Sequence, residues 1–277
     1  MDNNNQLVIA EGIDGQLEFT DFVYNPQYYV VQSNKLIQSR QYNKAKTHKL
    51  ICSVITQIKP EDVEFNSYFI PSNKLSVIID SKNNLFRDIN SVVDDLMNHP
   101  FEIRDEEKRN FVKIPWTASC NYINGKGLYI QMNPVLKPYL LGLKKCYSQF
   151  RFEDIAHMRN ICSMRILELV LSFIPVKILP KNGIKVYLTV QQIKDYCCPD
   201  LDYTYGKIKQ RVIEPAVKEI NEKTMYVISY EEKAEAINTK KVAGVIFSFN
   251  SKLHKKILEV PEKRNYSHSE LVDKFSK

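Results

Sequence analysis

The chain has 277 residues, 44% of them hydrophobic, which is enough to build real cores and comfortable for two small domains. Its formal charge of +7 is unevenly spread: the first 34 residues hold no Lys or Arg and five acids (Asp2, Glu11, Asp14, Glu18, Asp21), leaving +12 on the rest. That balance favours a polyanionic partner, and a membrane span is excluded because the most apolar stretch, Ile166 to Val176, is broken by Glu168, Ser172 and Pro175.

In chain order, residues 1–32 show weak periodicity and many Asn, Gln and acidic residues, the composition of an acidic, flexible arm. Its aromatic run Phe19, Phe22, Tyr24, Tyr28 and Tyr29 is also compatible with a docked strand. A helix is expected from about Asn34 to Gln57, with Leu50, Ile51, Val54, Ile55 and Ile58 as its buried stripe and a basic first half, Lys35, Arg40, Lys44, Lys46 and Lys49. Phe65 to Pro71 reads as a strand, and Ser72 as the N-cap of a helix carrying Leu75, Ile78 and Ile79. After the polar turn at Ser81 comes a helix with Leu85, Ile89, Val92, Val93 and Leu96 on one face, stopped by His99-Pro100. Phe101 to Ile103 and Phe111 to Trp116 read as paired strands, and Tyr122 to Tyr129 as a further hairpin turning at Asn124-Gly125.

A connecting helix is expected at about Pro134 to Lys145, and a long helix from about Asp154 to Phe173. Lys185 to Val190 reads as a strand, with Thr189 capping a short helix that carries Ile193 and Tyr196. Tyr203 to Glu222 reads as one amphipathic helix: Ile208, Val212, Ile213, Ala216, Val217 and Ile220 recur at three- and four-residue spacing, while Lys207, Lys209, Gln210 and Arg211 point away. Met225 to Tyr230 and Val242 to Phe249 then pair around a polar tip. The order helix, strand, helix, helix, hairpin thus occurs twice, with Ser72 and Thr189 in equivalent places. The expected fold is α+β: two tandem winged-helix domains, at 33–133 and 134–250, followed by a basic tail at 251–277. A helix with a cationic start and an apolar back, followed by a hairpin, suits a DNA major groove.

Catalytic signatures are missing. Gly125-Lys126 and Gly206-Lys207 are followed by Gly127 and Ile208, so neither completes a phosphate-binding loop. The five histidines are scattered, so no pair flanks a single apolar residue to hold a metal beside a nicking tyrosine. No Cys/His set has zinc spacing. The six cysteines form no C-x-x-C pair and read as reduced thiols, several of them core fillers. Asp94-Asp95 diverge by about 100° on a helix, which argues against a shared metal. No enzyme, metal or cofactor is expected.

Six fragments in order resemble one family. They are Val31-Gln-Ser-Asn-Lys-Leu-Ile; Phe69-Ile-Pro-Ser-Asn-Lys-Leu; Trp116-Thr-Ala-Ser-Cys-Asn-Tyr with Gly127-Leu-Tyr-Ile-Gln-Met-Asn-Pro; Phe150-Arg-Phe; Ser163-Met-Arg-Ile-Leu-Glu-Leu; and Ile208-Lys-Gln-Arg-Val-Ile-Glu-Pro-Ala-Val-Lys-Glu-Ile-Asn. Over about Val31 to Asn250 the chain resembles the initiator (Rep) proteins of iteron-containing, theta-replicating plasmids. The resemblance implies binding to double-stranded DNA, at origin iterons and at an operator inverted repeat. It also implies origin opening, recruitment of the host replicative helicase and initiator proteins, a monomer–dimer equilibrium with autorepression, and a bacterial cytoplasmic setting. By position, Lys207, Lys209, Gln210 and Arg211, with Tyr203 and Tyr205 upstream, fall on the second recognition helix, and Lys240 and Lys241 on its wing. The first domain offers Asn83, Asn84, Arg87, Asn90 and Ser91, but Asp88, Asp94 and Asp95 on the same helix are expected to repel phosphate. A winged-helix transcriptional repressor without initiator activity is the alternative.

Overall fold

The computed structural model describes residues 29–105, 107–174, 183–199, 201–236 and 241–252, together with the backbone of 8–9 and 18–20. The expected arm thus falls largely outside the described residues, as do Lys240 and all of the tail but its first two residues. Short strands β1 (Val8–Ile9) and β2 (Glu18–Thr20) precede β3 (Tyr29–Ser33), α1 (Asn34–Ile37) and α2 (Ala45–Ile55). Next come β4 (Ser67–Pro71), α3 (Ser72–Ile78), α4 (Leu85–Asn98) and two hairpins, β5 (Phe101–Asp105) with β6 (Asn110–Ile114) and β7 (Thr117–Ile123) with β8 (Gly127–Met132). A 3₁₀ turn at Pro134–Leu136 and α5 (Lys137–Leu140) lead to β9 (Tyr147–Arg151), α6 (Phe152–Ala156), α7 (Ile161–Ser172), β10 (Ile184–Thr189) and α8 (Val190–Cys197). The chain continues through α9 (Tyr205–Ile208), a π-helical turn at Lys209–Ile213, α10 (Glu214–Lys223), β11 (Tyr226–Ala234) and β12 (Val242–Ser251).

The repeat runs through the whole fold. β3, α1, α2, β4, α3 and α4 recur as β9, α6, α7, β10, α8 and α9, with starts 116 to 120 residues apart. Each half closes on three antiparallel strands, β4-β8-β7 in the first and β10-β12-β11 in the second, and in the first β2 pairs parallel with β4 and β1 antiparallel with β2, extending the sheet to five strands. The hairpin that completes the first winged helix is therefore β7–β8, and β5–β6 is an insertion between α4 and that wing. A glycine marks the same place in both sheets: Gly127 lies opposite Pro71 and Gly244 opposite Thr189, where the helix after the strand begins. A side chain at Gly244 would come within 2.5 Å of the Leu188 carbonyl oxygen, and one at Gly127 would strike the Ile70 carbonyl, so the close approach admits no Cβ.

The two leading strands, β3 and β9, pair antiparallel with each other, from Tyr29 opposite Arg151 to Ser33 opposite Tyr147. The buried apolar residues of both halves form one continuous cluster, including Leu50, Ile70 and Trp116 from the first and Leu167, Leu188 and Phe247 from the second. A buried charge network crosses the same junction. Arg165, 1% exposed, donates to Glu168 at 2.6 Å, to the Ser39 carbonyl at 3.2 Å, to the Tyr196 carbonyl at 3.1 Å and to the Ile37 carbonyl. The other Glu168 oxygen lies 2.7 Å from His48 Nε2 on α2. Burial alone would raise the Glu168 pKa, but His48 and Arg165 outweigh it and hold the carboxylate below its ordinary range. Removing Glu168 would leave the Arg165 guanidinium buried without its carboxylate.

Several expected elements differ, two of them long helices that break where tertiary bonds replace helical ones. The helix from Asn34 to Gln57 is two pieces, because the Arg40 backbone pairs with Glu102 (N···O 2.9 and 2.8 Å) and its side chain reaches Asp195 at 2.6 Å. Lys49, read as part of that helix's basic half, is buried, and desolvation pushes its pKa down while Asp80 opposes the shift. Ser72 is not a cap: it is the first residue of α3, Pro71 holds the cap position, and the serine hydroxyl bonds nothing. The helix from Asp154 to Phe173 divides at 157–160, where Glu219 accepts the Arg159 and Asn160 N–H groups at 2.7 and 3.2 Å and Asn160 caps α7. The connecting helix shrinks to α5 and its preceding 3₁₀ turn, ending before Gly142, whose φ of +58° leaves the helical region. Among the described residues no helix is long and apolar enough to cross a membrane.

Candidate nucleic-acid interface

In the second half Thr189 starts α8 with a full capping box, its hydroxyl accepting the Gln192 N–H at 3.1 Å while the Gln192 carboxamide accepts the Thr189 N–H at 2.9 Å. The segment from α9 to α10 then lies over the core on Ile208, Val212, Ile213, Ala216 and Ile220, all buried. It is not one regular helix. Pro215 lacks an N–H and its ring crowds the carbonyl four residues back, at Arg211, and the backbone widens into the π turn Lys209–Ile213 just before it. That turn carries three of the four polar residues singled out from the sequence.

The structure places these side chains differently from one another. Lys207, Gln210 and Arg211 are exposed. The Arg211 guanidinium lies 5.7 Å over the Tyr203 ring and donates to the Tyr203 hydroxyl at 3.4 Å, so the half-buried tyrosine orients the arginine. Lys209 is tied to Glu232 on β11 at 2.8 Å, a contact that raises the lysine pKa and lowers that of the glutamate. Tyr205 is half-buried, and burial followed by the Glu232 carboxylate pushes its phenol well above the ordinary range. Lys241 opens β12's approach with its ammonium exposed and 2.9 Å from Glu235.

In the first half Asn84 caps α4, its Oδ1 accepting the Arg87 N–H at 3.0 Å. Asn83, Asn84, Arg87, Asn90 and Ser91 are all exposed, while Ile89, Val92 and Leu96 turn inward. Of the three acids expected to repel phosphate, two are engaged by other groups and Asp94 stays exposed. Asp95 is buried, accepts the Lys44 N–H at 2.9 Å and lies 2.9 Å from His99 Nδ1. Asp88 pairs with Lys46 at 3.5 Å, and Asp94 accepts the Asn90 carboxamide at 3.2 Å. The open face of α4 is therefore amide-rich, with Arg87 as its cation and Asp94 as its exposed carboxylate.

Two features were not read from the sequence. Phe86, in the first turn of α4, is 63% exposed, and an exposed aromatic is signalled by no periodicity. His48, Cys52 and Glu168 bring one ligand atom each within 4.8 Å of one another, from an i, i+4 pair on α2 and a partner on α7. Both Glu168 oxygens are already engaged by His48 and Arg165, burial pushes the Cys52 thiol well up, and a cation there would face the guanidinium. The trio belongs to the buried charge network and does not have the chemistry of a metal centre.

Two outward helices, each preceded by a short helix and followed by a paired wing, held on one core, define a tandem winged-helix protein. The chain belongs to the initiator replication protein family: the description Initiator Replication protein, WH1 matches residues 29–171, and Initiator Rep protein, WH2 matches 189–249. An "Uncharacterized 27.6 kDa protein" from Escherichia coli is 22% identical over 225 residues, covering 76% of this chain and 92% of its own length. Among solved structures, the Pi initiator protein in complex with iteron DNA is similar in fold, with TM-score 0.65 and 12% identity, covering 82% of this chain and 99% of its own.

Proposed function

We propose that this chain initiates replication of a plasmid by binding iterons at the origin, with α4 and the α9–α10 segment each entering a major groove. The observation that carries this reading is the pair of outward helices, one cationic and one amide-rich, fastened in one frame by the β3–β9 pairing and the Arg165–Glu168–His48 network. Family membership and the fold shared with an initiator crystallised on iteron DNA support it. In this reading Arg211, Gln210, Arg87 and Asn90 touch base edges. Lys207, Lys240 and Lys241 neutralise phosphates, and Lys209 joins them once it leaves Glu232. Asn83, Asn84 and Ser91 bond the backbone or base edges at the start of α4, and Tyr203 and Tyr205 position the second helix. The domains divide at about Asn133, with β9 opening the second repeat. The protein acts without a catalytic step in the bacterial cytoplasm, recruits the host helicase and initiator proteins, and self-associates to repress its own gene at an inverted repeat.

Footprinting on the DNA flanking its own gene, at near-physiological salt, tests the proposal. Two grooves read by one monomer predict protection repeating at about two helical turns. A single palindromic footprint would mark a repressor, and salt-sensitive smearing without a footprint would remove sequence-specific binding altogether.

A further inference from the structure

Phe86 is an unusual residue to leave in water. It sits in the first turn of α4, 63% exposed, between the cap Asn84 and the outward Arg87, and one turn before Asn90. Nothing in the core requires it there. The equivalent place in the second repeat, one residue into α9, is Gly206, where an added Cβ would meet no atom within 4 Å. The ring is nevertheless propped. Tyr122, half-buried on the wing strand β7, lies at a centroid distance of 6.1 Å and a tilt of 48°. A bulky apolar side chain, braced by the wing and flanked by amide and guanidinium donors on a groove-entering helix, has one ready partner on a DNA edge. In the major groove the apolar group is the C5-methyl of thymine.

We propose that Phe86 is a specificity-determining residue that reads a thymine methyl, with Tyr122 as its positioning residue. This rests on the initiator reading above and deepens it. It assigns the first winged helix an apolar readout that depends little on salt, beside the charged readout of the second.

The test replaces each thymine of the footprinted site with uracil, which removes only the methyl, and measures affinity for the full chain and for Phe86→Ala and Phe86→Leu. The wild-type protein is expected to lose about fourfold in affinity at one or two thymines, the worth of one buried methyl-sized group. Phe86→Ala should bind the natural site more weakly and be indifferent to uracil at those positions, while Phe86→Leu should keep part of the sensitivity. The side chain is exposed, so both variants should melt like the wild type. Wild-type indifference to every uracil, or the same uracil sensitivity in Phe86→Ala, would overturn the proposal while leaving the initiator reading intact. Failure of the wild type to footprint at all would sink both.

Discussion

The two outward helices are built on one plan and differ in what they expose. α4 is a regular fourteen-residue helix, capped by Asn84, with Asp95 buried and Asp88 neutralised by Lys46. What remains outside is amide, one arginine, the carboxylate of Asp94 and a phenylalanine. The α9–α10 segment lacks a side-chain cap, is distorted ahead of Pro215 and presents Lys207, Gln210 and Arg211 from or beside a π turn. The difference teaches that a duplicated scaffold keeps its buried face and varies its outer one. The inward positions are constrained by close packing with the rest of the core, whereas the outward ones meet only solvent or a ligand. The first helix is suited to contacts that salt barely touches, the second to contacts that salt weakens.

The comparison holds only while both helices share one frame, so the largest effect should come from breaking it. Glu168→Gln leaves the Arg165 guanidinium buried without its carboxylate and should cost about 3–5 kcal/mol in stability by urea unfolding. A loss under about 1 kcal/mol would show that the network does not fasten the halves. Asp154, 1% exposed, tests how the second wing is held. Its carboxylate accepts the Met225 N–H at 3.2 Å at the root of β11, and burial pushes its pKa up to about 6. A raised acid pKa means that the folded state prefers the protonated form, so this group's contribution is complete below about pH 4 and is lost as pH rises through about 6. Asp154→Asn keeps an acceptor and removes the charge. It should stabilise the protein by about 2–3 kcal/mol at pH 7.5 and by almost nothing at pH 4, as read by thermal melts across that range.

Smaller effects separate the helices themselves. Arg211→Ala should lower affinity for the specific site by about 1–3 kcal/mol and flatten discrimination against a scrambled duplex, measured by anisotropy titration. Undiminished discrimination in a folded variant would move base reading elsewhere. Asn84→Ala removes the cap of α4 and should cost about 1 kcal/mol in stability, with a normal salt dependence of DNA binding. Lys207→Ala should leave specificity intact and reduce the slope of log affinity against log salt by about 0.9, one phosphate's share. An unchanged slope would mean that Lys207 contacts no phosphate.

Much of this architecture was legible in the chain. The apolar stripes of α4 and of Ile208 to Ile220, the Thr189 cap, the Asn124-Gly125 turn and the twofold order of elements are local patterns, and local patterns are written in neighbouring residues. The same periodicity could not show where a helix stops for a distant reason. The breaks at Arg40 and at Arg159-Asn160 arise because Glu102 and Glu219, far along the chain, capture backbone groups that a helix would otherwise use.

The sequence by itself determined the buried faces of both halves, the positions of the two outward helices and the cationic character of the second, because burial and charge follow from side-chain type and spacing. Only the tertiary structure decided which hairpin is the first domain's wing, which acids on α4 are neutralised, that Lys209 is held by Glu232 and that Phe86 is left in solvent. Each of those depends on a partner many residues away, and the energy of such a contact belongs to the folded arrangement, not to either segment alone.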